Sequence, residues 1–255
     1  MALRRDYHLT ALRIARQLRL ARSTVAAVLQ RAGLSSLRKL EPKEPAVRYE
    51  HAGPGELIHM DIKKLGRFWR SGHRVTGNRS NDSQGAGWEY VHVCVDDYSR
   101  VAYVEVLPDQ QKESATAFLQ RALRWFARFG IRIRRLLTDN GSCYRAQQFN
   151  QYCQALRICH KYTRPYRPQT NGKAERFIQT LLREWAYGRV YSTSEERRYV
   201  LPIWMTHYNE HRGHGSLANQ PPITRMPGVN NVAGIHSWLP PGCLEVRMRQ
   251  PAVQR

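Results

Sequence analysis

Cysteine is scarce in this sequence and badly spaced for structural work. Cys94, Cys143, Cys153, Cys159 and Cys243 form no C-x-x-C pair and belong to no His/Cys set with zinc-finger spacing. That argues against a disulfide framework or a structural zinc module and predicts reduced thiols, as in a cytoplasmic protein. Long apolar runs are missing too. Nothing approaches the roughly 20 residues needed to cross a bilayer, and the opening MALRRDYHLT lacks a signal peptide's apolar stretch, so no membrane association is expected. The third shortage is acid: 20 Asp and Glu stand against 41 Lys and Arg, a formal net charge of +21. An excess of one sign spread along the chain draws in phosphate backbones, which makes DNA the expected partner.

The 255 residues, 42% of them hydrophobic, are enough for one substantial core with attachments. Residues 11–34 carry two short helical patterns with a tight connection near Leu20 to Arg22. Ala15, Val25 and Val28 fall where a helix-turn-helix needs a small residue at the crossing and two apolar residues on the inner face of its second helix. Ser23 or Thr24 is expected to cap that helix, leaving Thr24, Ala26, Ala27 and Gln30 outward toward a major groove. Arg19 occupies a turn position usually held by Gly, which predicts a distorted turn. Too little sequence precedes Ala11 for a full first helix. Pro42, Pro45 and Pro54 then mark a linker. The expected division is 1–38 for the DNA-binding segment, 39–55 for the linker, 56–190 for a catalytic core, 191–237 for a helical extension and 238–255 for a tail.

Beyond the linker, strand and helix patterns alternate. Leu57–Lys63, Trp88–Val95 and Val101–Leu107 read as a three-stranded meander. The polar, glycine-rich stretch from Gly66 to Gly87 between the first two, with Arg67, Arg70, Arg74 and Arg79 against Asp82, reads as an extended hairpin loop lying on phosphates. A helix over Lys112–Phe129 ends at Gly130. Ile131–Thr138 reads as a fourth strand, Ala146–Leu156 as a helix, Ile158–Tyr162 as a fifth strand and Asn171–Ala186 as a third helix. The order predicts an α/β fold: a mixed five-stranded sheet flanked by helices, preceded by a small helical segment.

Three acids stand at the ends or starts of these elements. Asp61 lies in HMDIKKLG, Asp139 in LLTDNGSCY, and Glu175 in RPYRPQTNGKAERF, with thirty-five residues between the last two. Divalent magnesium prefers a few carboxylates plus substrate phosphate to a closed protein cage. Two such ions about 4 Å apart can serve an in-line phosphoryl displacement. Asp61 is expected to be shared by both ions, with Asp139 and Glu175 each favouring one. Asp96 and Asp97 compete for the role but sit in a turn before Ser99 and Arg100, which reads as structural.

Together with DDYSR and the helical stretch LPIWMTHYNEHRGHGSL, these motifs closely resemble the DDE integrase catalytic core, especially bacterial insertion-sequence transposases with an N-terminal helix-turn-helix, over roughly residues 11–235. The resemblance implies a ribonuclease-H-like fold and magnesium or manganese. It also implies cutting at transposon ends, joining of the freed 3′-hydroxyl to target DNA, a dimer or higher assembly on DNA, and a nucleoid-associated location. By the motif match, Asn171, Gly172 and Lys173 lie in a flexible loop meeting the substrate strand. Lys173 and Arg176, then Arg164, Arg167 and Gln179, are the expected DNA contacts, with Thr24 and Gln30 from the N-terminal segment. After Arg212 the chain reads Gly-His-Gly where relatives read Pro-His-Ser, which is expected to loosen a turn. His207, His211 and His214 are expected to pack and cap without forming a metal cluster. The alternatives are a catalytically silent DNA-binding regulator, in which the acids would have no use, and a hydrolytic nuclease that never joins ends.

Overall fold

A computed structural model of the chain describes residues 1–37, 40, 49–72, 85–163 and 171–228. Most of the expected linker, Arg74, Arg79, Asp82, Arg164, Arg167 and the expected tail lie outside the described residues. The chain divides into two compact units, Met1–Tyr49 and Glu50–Arg255.

The first unit holds α1 (Ala2–Arg5), α2 (Ala11–Leu18) and α3 (Arg22–Arg31). Its core is Ile14, Ala15, Val25, Leu29 and Leu34. The single turn of α1 matters through Arg4. That side chain is buried and donates to the carbonyl oxygens of Leu9 and Leu34, each at 2.9 Å, and of Ser35 at 2.6 Å. Thr10 caps α2 by accepting from the Arg13 amide. Three expectations are corrected here. Leu29, not Val28, is the second inward residue of α3, because four residues from Val25 is just over one helical turn and returns to the same face, while Val28 falls on the rim at 38% exposure. Ala21 stands at the N-cap without a side-chain bond, since the turn is short enough to put Ser23 and Thr24 already inside the helix. Arg19 closes α2 in the left-handed conformation (φ 52°, ψ 39°), taking the glycine's backbone geometry without distorting the turn.

In the second unit β1 (Ile58–Arg67), β2 (Gly87–Asp96) and β3 (Ala102–Leu107) form an antiparallel meander. Helix α4 (Lys112–Ala127) leads to β4 (Arg135–Thr138), which pairs parallel to β1. A single turn α5 (Ser142–Arg145) and helix α6 (Gln147–Ala155) lead to β5 (Cys159–Tyr162), parallel to β4. The order is β3-β2-β1-β4-β5. Only the last four residues of the expected fourth strand join the ladder; Ile131 and Ile133 are buried, but the chain there is anchored by the Arg134 amide on the Gly55 carbonyl oxygen.

Alternation along β1 and β2 builds a core on each face of the sheet. Ile58, Met60 and Cys94 join Phe118, Leu119 and Phe126 of α4 on one face. Leu65, Val91 and Val93 join Phe177 and Leu181 of α7 (Gly172–Leu181) and Trp185 on the other. Helix α8 (Ser194–Thr206), capped by Thr193, closes this second face. Its Arg197, 2% exposed, meets the equally buried Glu89 at 2.6 Å and also donates to the Gly66 carbonyl oxygen. Asn209 bonds both backbone groups of Ala102 on the edge strand β3, each at 2.9 Å. The Gly-His-Gly turn is closed tightly, correcting the expectation of a loose one. A Cβ at Gly213 would stand 2.5 Å from the Asn219 Oδ1, and the His214 amide donates to the Gln220 carbonyl oxygen at 3.1 Å.

Candidate active site

Asp61 sits mid-strand on β1, beside the point where β4 stops. Ile58 pairs with Leu136 and His59 with Leu137 in parallel, and the same offset carried two steps on sets Asp61 beside Asp139. The site therefore opens where one strand ends and its neighbour continues. Asp139 is exposed at that end. Its Oδ1 accepts the Gly141 amide at 2.9 Å, and a Cβ at Gly141 would stand just 2.9 Å from the same oxygen. Asn140 ties the turn to β5 by donating to the Thr163 carbonyl oxygen at 3.0 Å. The Asn-Gly pair thus fixes the direction in which Asp139 leaves the strand.

Glu175 enters from the first turn of α7, exposed, while Ala174, Phe177 and Ile178 bury the opposite face of the helix. The start of α7 is pinned to β1 by a side chain. Asn171, 3% exposed, donates through Nδ2 to the Met60 carbonyl oxygen at 3.3 Å, and its Oδ1 meets His59 Nδ1 at 3.1 Å. His59 is fully buried, and its Nε2 contacts Asp97 Oδ1 at 2.8 Å. Asp97 also accepts the His51 amide at 2.8 Å and an ion pair from Lys173. Burial alone would raise the Asp97 carboxyl; the bonds from His59, Lys173 and the His51 amide outweigh it and hold Asp97 well below the usual carboxylate range. Asp97, His59 and Asn171 therefore form a charged clamp that joins the strand of Asp61 to the helix of Glu175.

The electrostatics record the crowding of acids. Burial pushes the Asp61 carboxyl from its ordinary 3.8 up to about 6; the Ile62 amide it accepts at 2.8 Å pulls the other way, and the charges of Asp139 and Glu175 push it further up. Asp61 thus stands within electrostatic reach of both other acids. Among the described residues no three His, Cys, Asp or Glu side chains lie close enough to hold an ion as they stand. The donor set still fits a hard divalent cation: all oxygen, in no ion pair with a base among the described residues, at the end of a strand and open to phosphate.

The other expected residues divide. Thr24 and Gln30 are exposed on α3, and Arg176 and Gln179 are exposed on α7, 3.4 Å apart. Arg164 and Arg167 lie outside the described residues. Asn171 and Lys173 correct the expectation of a loop free to meet DNA. The first is buried in the clamp, and the second, 18% exposed at its side chain, is committed to Asp97. Asp96 accepts the amides of Gly55 and Ser99 and the Ser99 hydroxyl, as the structural reading of that turn requires. His214 bonds the Tyr208 hydroxyl at 2.9 Å, and the His207 and His211 rings lie 6.4 Å apart. His59 carried no signal in the sequence, because its partners come from 38 and 112 residues away.

Two family profiles, both described as Integrase core domain, match residues 51–168 and 156–222, together well over half of the chain. The transposase proposed for insertion sequence element IS5376 of Geobacillus stearothermophilus is 26% identical over 182 residues, 68% of this chain and 42% of that protein. Transposase InsD for insertion element IS2D of Escherichia coli is 35% identical over 86 residues, 34% of this chain and 29% of that protein. The chain thus spans less than half the length of these curated relatives. Among solved structures, the simian T-cell lymphotropic virus intasome in complex with PP2A regulatory subunit B56 gamma superposes with a TM-score of 0.53 at 18% identity, covering 88% of this chain and 72% of that one. The likeness shows the fold: the ribonuclease-H-like sheet of an integrase core.

Proposed function

Since the chain belongs to the integrase core family of DDE-type insertion-sequence transposases, we propose that it cuts DNA at transposon ends and joins the freed 3′-hydroxyl to target DNA. In the first step water attacks phosphorus and one phosphodiester is hydrolysed to a 5′-phosphate and a free 3′-hydroxyl. In the second that hydroxyl attacks a target phosphodiester, so that one phosphodiester replaces another, and in both the displaced 3′ oxygen leaves with a proton. The observation that carries the reading is the parallel register of β1 and β4, which sets Asp61 level with Asp139, with Glu175 on the first turn of α7. An acid crowd of this kind in a chain of net charge +21 suits a cation held against a polyanion.

Asp61 would hold both of two magnesium or manganese ions, with Asp139 and Glu175 each holding one. When bound, such ions supply charge to the phosphate oxygens of an in-line displacement. The clamp of Asp97, His59 and Asn171 keeps the strand and helix that carry Asp61 and Glu175 in fixed relation, and Arg176 and Gln179 grip the substrate strand beside Glu175. Thr24 and Gln30 of α3 read the terminal repeats, Arg164 and Arg167 add phosphate contacts, and a dimer or larger assembly pairs two ends. In domain terms, 1–38 binds DNA, 56–190 carries the chemistry and 191–237 buttresses it, in the cytoplasm on the nucleoid. The test is a labelled terminal-repeat duplex with magnesium. Joined products are expected; cuts without joining would indicate a hydrolytic nuclease, and binding alone a silent regulator.

A further inference from the structure

The β1–β2 ribbon outruns the rest of the sheet. By the parallel register β4 ends level with Met60, and β3 ends opposite Tyr90, so Leu65–Arg67 and Gly87–Glu89 run on as a two-stranded arm, one face of which, with Leu65 and Glu89, is buried against the helices while the other is open. This arm carries two indoles that no core absorbs. Trp88 is 57% exposed and Trp69 71% exposed. Neither hangs loosely. The Lys64 ammonium lies 4.1 Å from the centroid of the Trp88 ring, and Trp88 stands opposite Gly66, which offers no side chain to cover it. The Trp69 ring rests on Gly85, where a Cβ would come within 2.6 Å of its Cγ. At Gly87 a Cβ would meet the Arg67 guanidinium at 3.0 Å, so that cation too lies against bare backbone. Two braced and exposed aromatic faces, with Lys64, Arg67 and Arg70 exposed around them, are what a single nucleic-acid strand requires: flat surfaces for bases and cations for phosphates.

We propose that Trp69 and Trp88 form a stacking platform for unpaired bases of the DNA strand that extends past the acidic site, with Lys64 and Arg67 on its phosphates. Gly66, opposite Trp88, lies five strand residues beyond Asp61, roughly 17 Å along β1, and on the alternate face of the ribbon. Because β4 ends level with Met60 and no longer flanks β1 there, a few nucleotides of an opened strand can pass round that edge to reach the indoles. Because every base has a π-face, the platform discriminates unpaired from paired DNA and is tolerant of sequence. The inference rests on the proposal that the protein acts on DNA.

The test compares the full chain on a blunt duplex and on the same duplex bearing a four-nucleotide single-stranded extension, by fluorescence anisotropy. The parent is expected to prefer the extended probe. Trp88→Ala and Trp69→Ala are each expected to weaken binding of the extended probe about tenfold, within what the loss of one base stack costs, and to leave the blunt duplex within about twofold. Trp88→Phe is expected to restore most of the loss. Equal losses on both probes, no loss on either, or a parent indifferent to the extension would overturn the platform. If magnesium-dependent cutting is present and the tryptophan variants behave like the parent, the platform falls and the transposase reading stands. If cutting is absent and the tryptophan-dependent preference is present, the transposase reading falls and the platform stands.

Discussion

Replacing Asp61 by Asn should stabilise the metal-free protein while destroying its chemistry. Burial first, then the charges of Asp139 and Glu175, set the Asp61 carboxyl at about 6 against an ordinary 3.8. The folded chain therefore keeps this proton up to about pH 6, whereas the unfolded chain releases it near pH 4. Between those values folding takes up a proton, so this group's contribution to stability declines as pH rises through the window and is flat above it. The gap corresponds to about 3 kcal/mol once Asp61 is ionised. In a unit of this size that is roughly 6–12 °C of melting temperature, an upper figure because Asn is also buried at some cost. Thermal melts of parent and Asp61→Asn across pH 4 to 8, with and without magnesium, read it out. The variant should match the parent near pH 4 and melt progressively higher up to about pH 6.5, with a constant difference above that. Magnesium should close the difference by raising the parent alone. A difference that ignores pH, or a variant less stable than the parent at pH 7.5, would refute the picture of a buried carboxylate crowded by two others.

Asp139→Asn should abolish cleavage and leave DNA affinity within a few-fold in a gel-shift titration, since Asp139 is exposed and outside the core; parallel loss of both would mean that it shapes the fold. Arg197→Ala should cost about 3 kcal/mol in chemical denaturation by leaving the buried Glu89 carboxylate only the longer 3.8 Å contact with Arg198. Arg4→Ala should melt the N-terminal unit, because one side chain satisfies three carbonyl oxygens there; far-UV circular dichroism of residues 1–49 expressed alone would show the loss, and unchanged helicity would count against the role given to Arg4.

Local pattern carried the strands and helices well, because alternation at Trp88–Val95 and the stripe from Ala115 to Phe126 answer directly to the two faces they bury. Errors arose where a one-residue decision depends on the partner surface. Val28 and Leu29 are both apolar neighbours, and only packing against α2 selects between them. The acids themselves were legible from their motifs, but their mutual approach was not, since the level of Asp61 with Asp139 comes from parallel pairing across 78 residues. Asn171 and Lys173 read as solvent-facing because polar residues at a helix start usually are. Buried His59 and Asp97 claim them instead, and those lie more than 70 residues earlier in the chain.

The two bonds from Asn209 to Ala102 imitate a neighbouring strand, and they come from 107 residues downstream. A ribosome adding roughly 5 to 20 residues per second needs on the order of 5 to 20 s to make that stretch. For that interval the nascent meander exposes a bare outer edge capable of annealing to other chains. Truncations that stop short of Asn209 should therefore form inclusion bodies, with the side chain serving as the stopper that ends sheet growth.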